Sequence, residues 1–257
     1  MNSILVSMNR TLKEYTRNRM IIVSTLGVPL FFLLLIPITI IDIPDLFMPQ
    51  LKGFVTVTMI TLLILSATQA NLAGFIAADR ERGLYSKILS MPVVLWKECS
   101  GRILAVWIFS FISMVFIVIC GLIYGAKFEF EITELMMSLG FLLLIGLAGV
   151  GTGLIIASFV KNESVATHMG VALTLVIFFL GGMAIPFSDL PNFIQLFAQV
   201  HPVSSATASI VYLLIDENLA GYNPLNIGQI ILTSLLSISL FFIGIILYSN
   251  HSYKKNF

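Results

Sequence analysis

The sequence predicts an all-α polytopic membrane protein with six transmembrane helices, an N-terminal interfacial helix, and a re-entrant helical hairpin between helices 5 and 6. Three observations carry that reading. Only 11% of the 257 residues are charged and 58% are hydrophobic, against roughly 25% charged in a soluble domain, so a water-facing surface could not be covered. Charge-free apolar stretches recur six times, each long enough for the ~20 residues a helix needs to cross the hydrocarbon core. Twelve of the fourteen Lys and Arg residues fall on one side of the membrane those stretches imply. Residues 1–257 read as a single transmembrane domain with no room for a soluble enzyme domain.

Taken in order, the first stretch follows Arg19 and runs to Ile41, and the second runs from Gly53 to Ala78. The others cover Ile103 to Ala126, Leu135 to Val160, Ser164 to Ser188, and about Asn223 to Tyr248. An even count places both termini on one side. Arg10, Lys13, Arg17 and Arg19 precede the first span; Arg80, Arg82, Lys87, Lys97 and Arg102 follow the second; Lys161 follows the fourth; Lys254 and Lys255 follow the sixth. Lys52 and Lys127 alone lie opposite, among Asp42, Asp45, Glu129, Glu131, Glu134, Asp189, Asp216 and Glu217. By the positive-inside rule the basic side is cytoplasmic, which predicts a multi-pass protein of the cell membrane with both termini inside. The polar, basic start lacks a cleavable signal pattern, so the first span is expected to act as an uncleaved anchor.

Within residues 1–19, Leu5, Met8, Leu12 and Tyr15 recur at helical spacing among Arg10, Lys13, Arg17 and Arg19. That pattern fits an amphipathic helix in the cytoplasmic interface, its cations near anionic headgroups; a plain basic flank is the alternative. Pro29 and Pro37 are expected to kink the first span by removing intrahelical hydrogen bonds. Gly140, Gly146, Gly149, Gly151 and Gly153 in the fourth span permit close helix approach, either inside one subunit or along a dimer seam. Gly181 and Gly182 are candidates for the hinge where the fifth span gives way to the hairpin. Residues 186–226 form an outer segment too apolar for a solvated loop, with Phe193, Ile194, Leu196 and Phe197 before Ile210, Val211 and Leu213, punctuated by Pro186, Pro191 and Pro202. Two short helices dipping into the outer leaflet fit it, if protein buries their ends; a cap on the outer face is the alternative.

The sequence has no GxxxxGK[ST] phosphate loop, HExxH zinc pattern or GxSxG elbow. Its three histidines, His168, His201 and His251, lie far apart, and Cys99 and Cys120 form no CxxC. All thirteen acidic residues fall in loops or at span ends, whereas a proton- or ion-coupled carrier is expected to hold carboxylates within its spans. The power source for any transport is therefore expected elsewhere.

The cytoplasmic loop at residues 79–102 opens with four charges of alternating sign, Asp79, Arg80, Glu81 and Arg82. Gly83 follows, then Leu84, Tyr85, Lys87, Ile88, Leu89, Met91 and the terminating Pro92. A short helix mixing apolar and charged groups suits docking into a groove of another protein; a solvated loop with a single helical turn is the equal alternative on physical grounds.

In its order of parts the chain resembles the type-2 ABC exporter permeases. The resemblance rests on the basic N-terminal helix, Glu81-Arg82-Gly83 through Pro92, Gly181-Gly182-Met183-Ala184-Ile185-Pro186 leading to Leu190-Pro191, and His201-Pro202. It spans essentially the whole length, though each motif alone is loose. Many members continue the Glu-x-Gly segment with Thr and a second Glu, where this chain has Leu84, Tyr85 and Lys87; relatives often have Asn-Pro where it has His201-Pro202.

The resemblance implies a permease subunit that is not itself an enzyme, holds no cofactor, and works with a separate ABC ATPase subunit carrying ATP and Mg. Arg80, Glu81, Arg82, Gly83, Leu84, Tyr85, Lys87, Leu89, Met91 and Pro92 would form the ATPase-coupling segment. Arg10, Leu12, Lys13, Tyr15 and Arg17 would belong to the interfacial helix that helps seat the ATPase, and Gly181, Gly182, Pro186, Pro191, His201 and Pro202 to the extracellular hairpin. A second copy of the permease, or a heterodimer partner, and membrane lipid complete the expected partners, with no nucleic acid. Spans lined by Leu, Ile, Val and Phe tilt the expected substrate toward a hydrophobic or amphipathic drug, peptide or lipid-like molecule leaving the cytoplasm. Polysaccharide or glycolipid export and secondary carriage are the alternatives.

Overall fold

The second span is the hub around which the helices pack. The computed structural model describes residues 3–39, 47–84, 95–185, 187 and 190–253. Among them, α1 is Ser3–Arg17, α2 Arg19–Thr39, α3 Met48–Glu81, α4 Leu95–Ile123, α5 Ile132–Phe159 and α6 Glu163–Leu180. Then come α7 Asn192–Val200, α8 Pro202–Leu214, the short α9 Glu217–Ala220 and α10 Ile227–Tyr253. Helices α2 to α6 and α10 are long and apolar enough to cross a membrane. The apolar stretch of α3 is 89% buried, against 17% for α10, so α3 lies inside the bundle while α10 leaves most of its surface to lipid or a partner.

Helix α3 carries many hydroxyls, and each must be satisfied where water is absent. Thr56, Thr58 and Thr68 donate to the Lys52, Val55 and Ile64 carbonyls one turn back, and Thr61 also meets Thr207 of α8 at 3.0 Å. A π-helical turn at Ser66–Asn71 widens the helix, with the Leu72 N–H reaching the Ala67 carbonyl five residues back. Around it, Gln69 accepts from Thr174 of α6 at 3.1 Å and Asn71 donates to Thr25 of α2 at 2.8 Å. Thr25 lies in a second π-helical turn, Val23–Gly27, just before Pro29, whose missing N–H breaks the regular ladder. The first span is thus irregular ahead of Pro29, whereas Pro37 lies inside the α-helical run Val28–Thr39.

The glycines of α5 serve packing within the chain. A Cβ on Gly149 would lie 2.1 Å from Thr68 Oγ1, and one on Gly153 would lie 2.4 Å from the Thr68 carbonyl. Gly151, on the other face, meets the Leu240 carbonyl of α10 in the same way. Helix α5 is thereby held between α3 and α10 by Gly149, Gly151 and Gly153, while Gly140 has open space around it.

Span ends differ from the hydropathy reading. Helix α6 stops at Leu180 rather than continuing toward Ser188, because Gly182 takes a left-handed φ of +73°. Helix α10 starts at Ile227 rather than about Asn223, after an Asn223–Asn226 turn in which both Asn side chains cap backbone N–H groups. Helices α3 and α4 extend into the region read as loop, taking in Asp79 to Glu81 and Leu95 to Arg102. The two cations on the sparse side have local employment: Lys52 Nζ donates to the Tyr124 carbonyl beyond the end of α4 at 3.0 Å, and Lys127 pairs with Glu129.

Candidate functional site

One helical turn at the end of α3 contacts five other elements. Successive helical residues advance by about 100°, so four consecutive charges point to all sides of the helix. Asp79 is buried and accepts from Arg102 of α4 and Arg10 of α1. Arg80 donates to the Ala157 carbonyl of α5 and lies 5.9 Å over the Tyr248 ring of α10. Glu81 accepts from the Glu163 N–H at 3.0 Å and from Asn162 Nδ2 at 3.1 Å, capping the start of α6. Arg82 pairs with Glu163 at 2.9 Å. Gly83, at φ +68°, then ends the helix.

The inward side of this turn is a buried ionic cluster. Arg102 is 2% exposed and bridges Asp79 and Glu98, four residues earlier on its own helix. Tyr248 reaches Glu98 at 3.4 Å, and Ser7 of α1 donates to the Glu98 carbonyl at 2.8 Å. Arg10 is shared between Asp79 and Glu14, the latter at 3.2 Å. Burial raises the Glu14 carboxyl above its ordinary range against the opposing pull of Arg10. Each guanidinium of the cluster is paired with carboxylates, as charges removed from water require.

The second anchor is Tyr15. It is fully buried, stacks on Phe109 of α4 at 4.1 Å, meets Phe75 of α3 edge-on at 4.9 Å, and donates to the Ala67 carbonyl at 3.0 Å. That carbonyl belongs to the π-helical turn, so the N-terminal helix is tied directly to the irregular middle of α3. The inward face of α1 is Ser7, Thr11 and Tyr15, whereas Leu5 is half exposed and Leu12 only partly covered. The hydroxyl stripe packs closely because Gly101 of α4 lacks a Cβ that would lie 2.7 Å from the Ser7 Cβ.

Of the residues expected to couple to an ATPase, Arg80, Glu81, Arg82 and Gly83 lie in this one turn, which reaches Arg10 through Asp79, and Leu84 follows it. Tyr85, Lys87, Leu89, Met91 and Pro92, like Pro186 of the hairpin, lie outside the described residues. Lys13 and Arg17 are exposed on α1. Around Gly181 and Gly182, Pro191 begins α7, and His201-Pro202 joins α7 to α8 with the His201 carbonyl accepting from Ser205 N–H at 3.0 Å. The His201 ring stacks on Phe197, and burial pushes its imidazole down to about 4, so it is neutral near pH 7. Helix α8 has 13 residues, too few to cross, and is buried on most faces.

Sequence reasoning passed over Asp79, Glu98 and Arg102 as members of a buried cluster. Their signal was the Glu98–Arg102 spacing of four, which places both on one helix face beside the start of an apolar run.

The model of a family described as ABC-2 type transporter matches residues 2–215. The chain is also 21% identical over 206 residues to a probable doxorubicin resistance ABC transporter permease protein, DrrC, of two Mycobacterium tuberculosis strains, covering 80% of this chain and 74% of the relative.

Proposed function

The chain belongs to the ABC-2 type transporter family, and from that membership we propose that it is the permease subunit of an ATP-driven exporter whose motor is a separate ATPase. The observation that carries this reading is the charged turn at 79–82. A pull or push on the segment that follows Gly83 would reach α1, α4, α5, α6 and α10 through side chains already in contact. Residues 80–92 would dock the ATPase, with α1 beside them, and two permeases with two ATPases would form the working unit. The substrate would be a hydrophobic or amphipathic molecule; the relative named for doxorubicin resistance and the apolar spans support that class. Helices α7 and α8 would form a hairpin re-entering the outer leaflet, since exposed Phe193 and Leu196 on α7 need lipid or a partner subunit.

Co-expression with candidate ATPases tests this reading. The permease is expected to retain one through purification, and inside-out vesicles are expected to accumulate substrate only with ATP. The buried carboxylates Asp79 and Glu98 favour an ion-coupled carrier as the second reading. Transport abolished by a protonophore and indifferent to ATP would establish that carrier instead.

Orientation has its own test. In a background with Cys99 and Cys120 replaced by Ser, Ser90→Cys is expected to stay unlabelled by a membrane-impermeant maleimide in intact cells, whereas Asn192→Cys at the exposed start of α7 reacts. Rapid external labelling at position 90 would reverse the topology.

A further inference from the structure

Between α1, the starts of α2 and α6 and the end of α3 lies an open cleft of about 960 Å³, within the roughly 300–1,000 Å³ range of small-molecule sites. Its charges are unequal. Arg10 is engaged by Glu14 and Asp79, and Arg82 by Glu163, which accounts for every acidic side chain lining it among the described residues. Lys13, Arg17 and Arg19 also line it, are exposed, and have no ion-pair partner among the described residues. They flank the corner at Asn18, whose side chain accepts from the Ile21 N–H and turns the chain from α1 into the first span.

The other wall is apolar. Phe75 and Ala78 form it on the α3 side, and Met20 stands 78% exposed at the point where α2 enters its apolar stretch. A ligand matching both walls carries an anion at headgroup depth and hydrocarbon beside it. A small soluble anion would leave the apolar wall and Met20 unmatched, and a cationic amphiphile would meet an excess of like charge.

We infer that this cleft binds the phosphate headgroup of an anionic phospholipid, held by Lys13, Arg17 and Arg19 with its acyl chains along α2. Such a lipid wedges against α1, which Tyr15 and Arg10 clamp to α3, so its occupancy bears on how firmly α1 is seated. The inference rests on the proposal that this face is cytoplasmic, and the labelling at positions 90 and 192 succeeds or fails independently of lipid binding.

Native mass spectrometry of the full-length permease released from mild detergent, with phosphatidylglycerol or phosphatidylcholine added, tests it. Phosphatidylglycerol is expected to be retained preferentially. Each surface cation contributes roughly fivefold to anionic-lipid affinity, so the Lys13→Gln, Arg17→Gln, Arg19→Gln variant is expected to lose about tenfold or more of that preference. Lys161→Gln, on the same face outside the cleft, is expected to keep it, and the single Arg19→Gln variant covers poor folding of the triple by showing a partial loss. Equal retention of both lipids, an unchanged preference in the triple variant, or displacement of phosphatidylglycerol by millimolar inorganic phosphate would each overturn the assignment.

Discussion

Replacing Arg102 by Met is expected to destabilise the protein by about 3–5 kcal/mol, because it leaves Asp79 and Glu98 buried without the guanidinium that bridges them. The loss far exceeds that of cutting the exposed Arg82–Glu163 pair, for which ~0–1 kcal/mol is usual. The comparison that isolates the cause is the triple variant Asp79→Asn, Glu98→Gln, Arg102→Met. Neutralising all three removes the uncompensated carboxylates, and a buried amide left without a partner costs less than a buried charge. Thermal unfolding in detergent is therefore expected to show a fall on the order of 10 °C for the single variant and recovery of part of it in the triple. A single variant that melts with the wild type would mean that water reaches the cluster.

Tyr15→Ala is expected to cost about 3–5 kcal/mol, the range for truncating a buried aromatic, since it empties a fully buried position between Phe75 and Phe109. Tyr15→Phe keeps both ring contacts and loses only the hydrogen bond to Ala67, worth about 1 kcal/mol. The two variants separate packing from the hydroxyl. If α1 transmits motion to α3 through this contact, transport by the permease–ATPase complex is expected to fall sharply in the Ala variant and to be largely kept in the Phe variant. Equal transport in wild type and Tyr15→Ala would remove α1 from the path.

The six spans were legible because crossing hydrocarbon demands a long charge-free run, and hydropathy reads that directly. Their ends were not. The apolar run after Ser164 continues past Gly181-Gly182, and nothing in its hydropathy registers the left-handed φ that stops α6 at Leu180. The charged turn was visible as a sequence of signs, and its importance was inferred from that alternation. Its geometry was hidden, because a charge paired inside a helix end has the same composition as one in a solvated loop. Asp79 and Arg102, 23 residues apart, meet only because α3 and α4 both extend past the apolar limit. Apolar spacing placed Leu5, Met8, Leu12 and Tyr15 together on a lipid-facing side of α1. Tyr15 instead packs inside the protein with Ser7 and Thr11, where close approach at Gly101 favours small side chains.

In the proposed permease the turn at 79–82 carries motor movement into the bundle. The most direct test of this claim is the number of substrate molecules moved per ATP hydrolysed by the reconstituted permease–ATPase complex carrying Glu81→Ala and Arg82→Ala. Glu81 holds the start of α6 and Arg82 pairs there with Glu163 at 2.9 Å; Arg82 is 68% exposed, so folding is expected to survive. The expected result is continued ATP hydrolysis, an assembled complex and a collapsed transport ratio. A ratio equal to wild type in a folded, assembled double variant would contradict the claim.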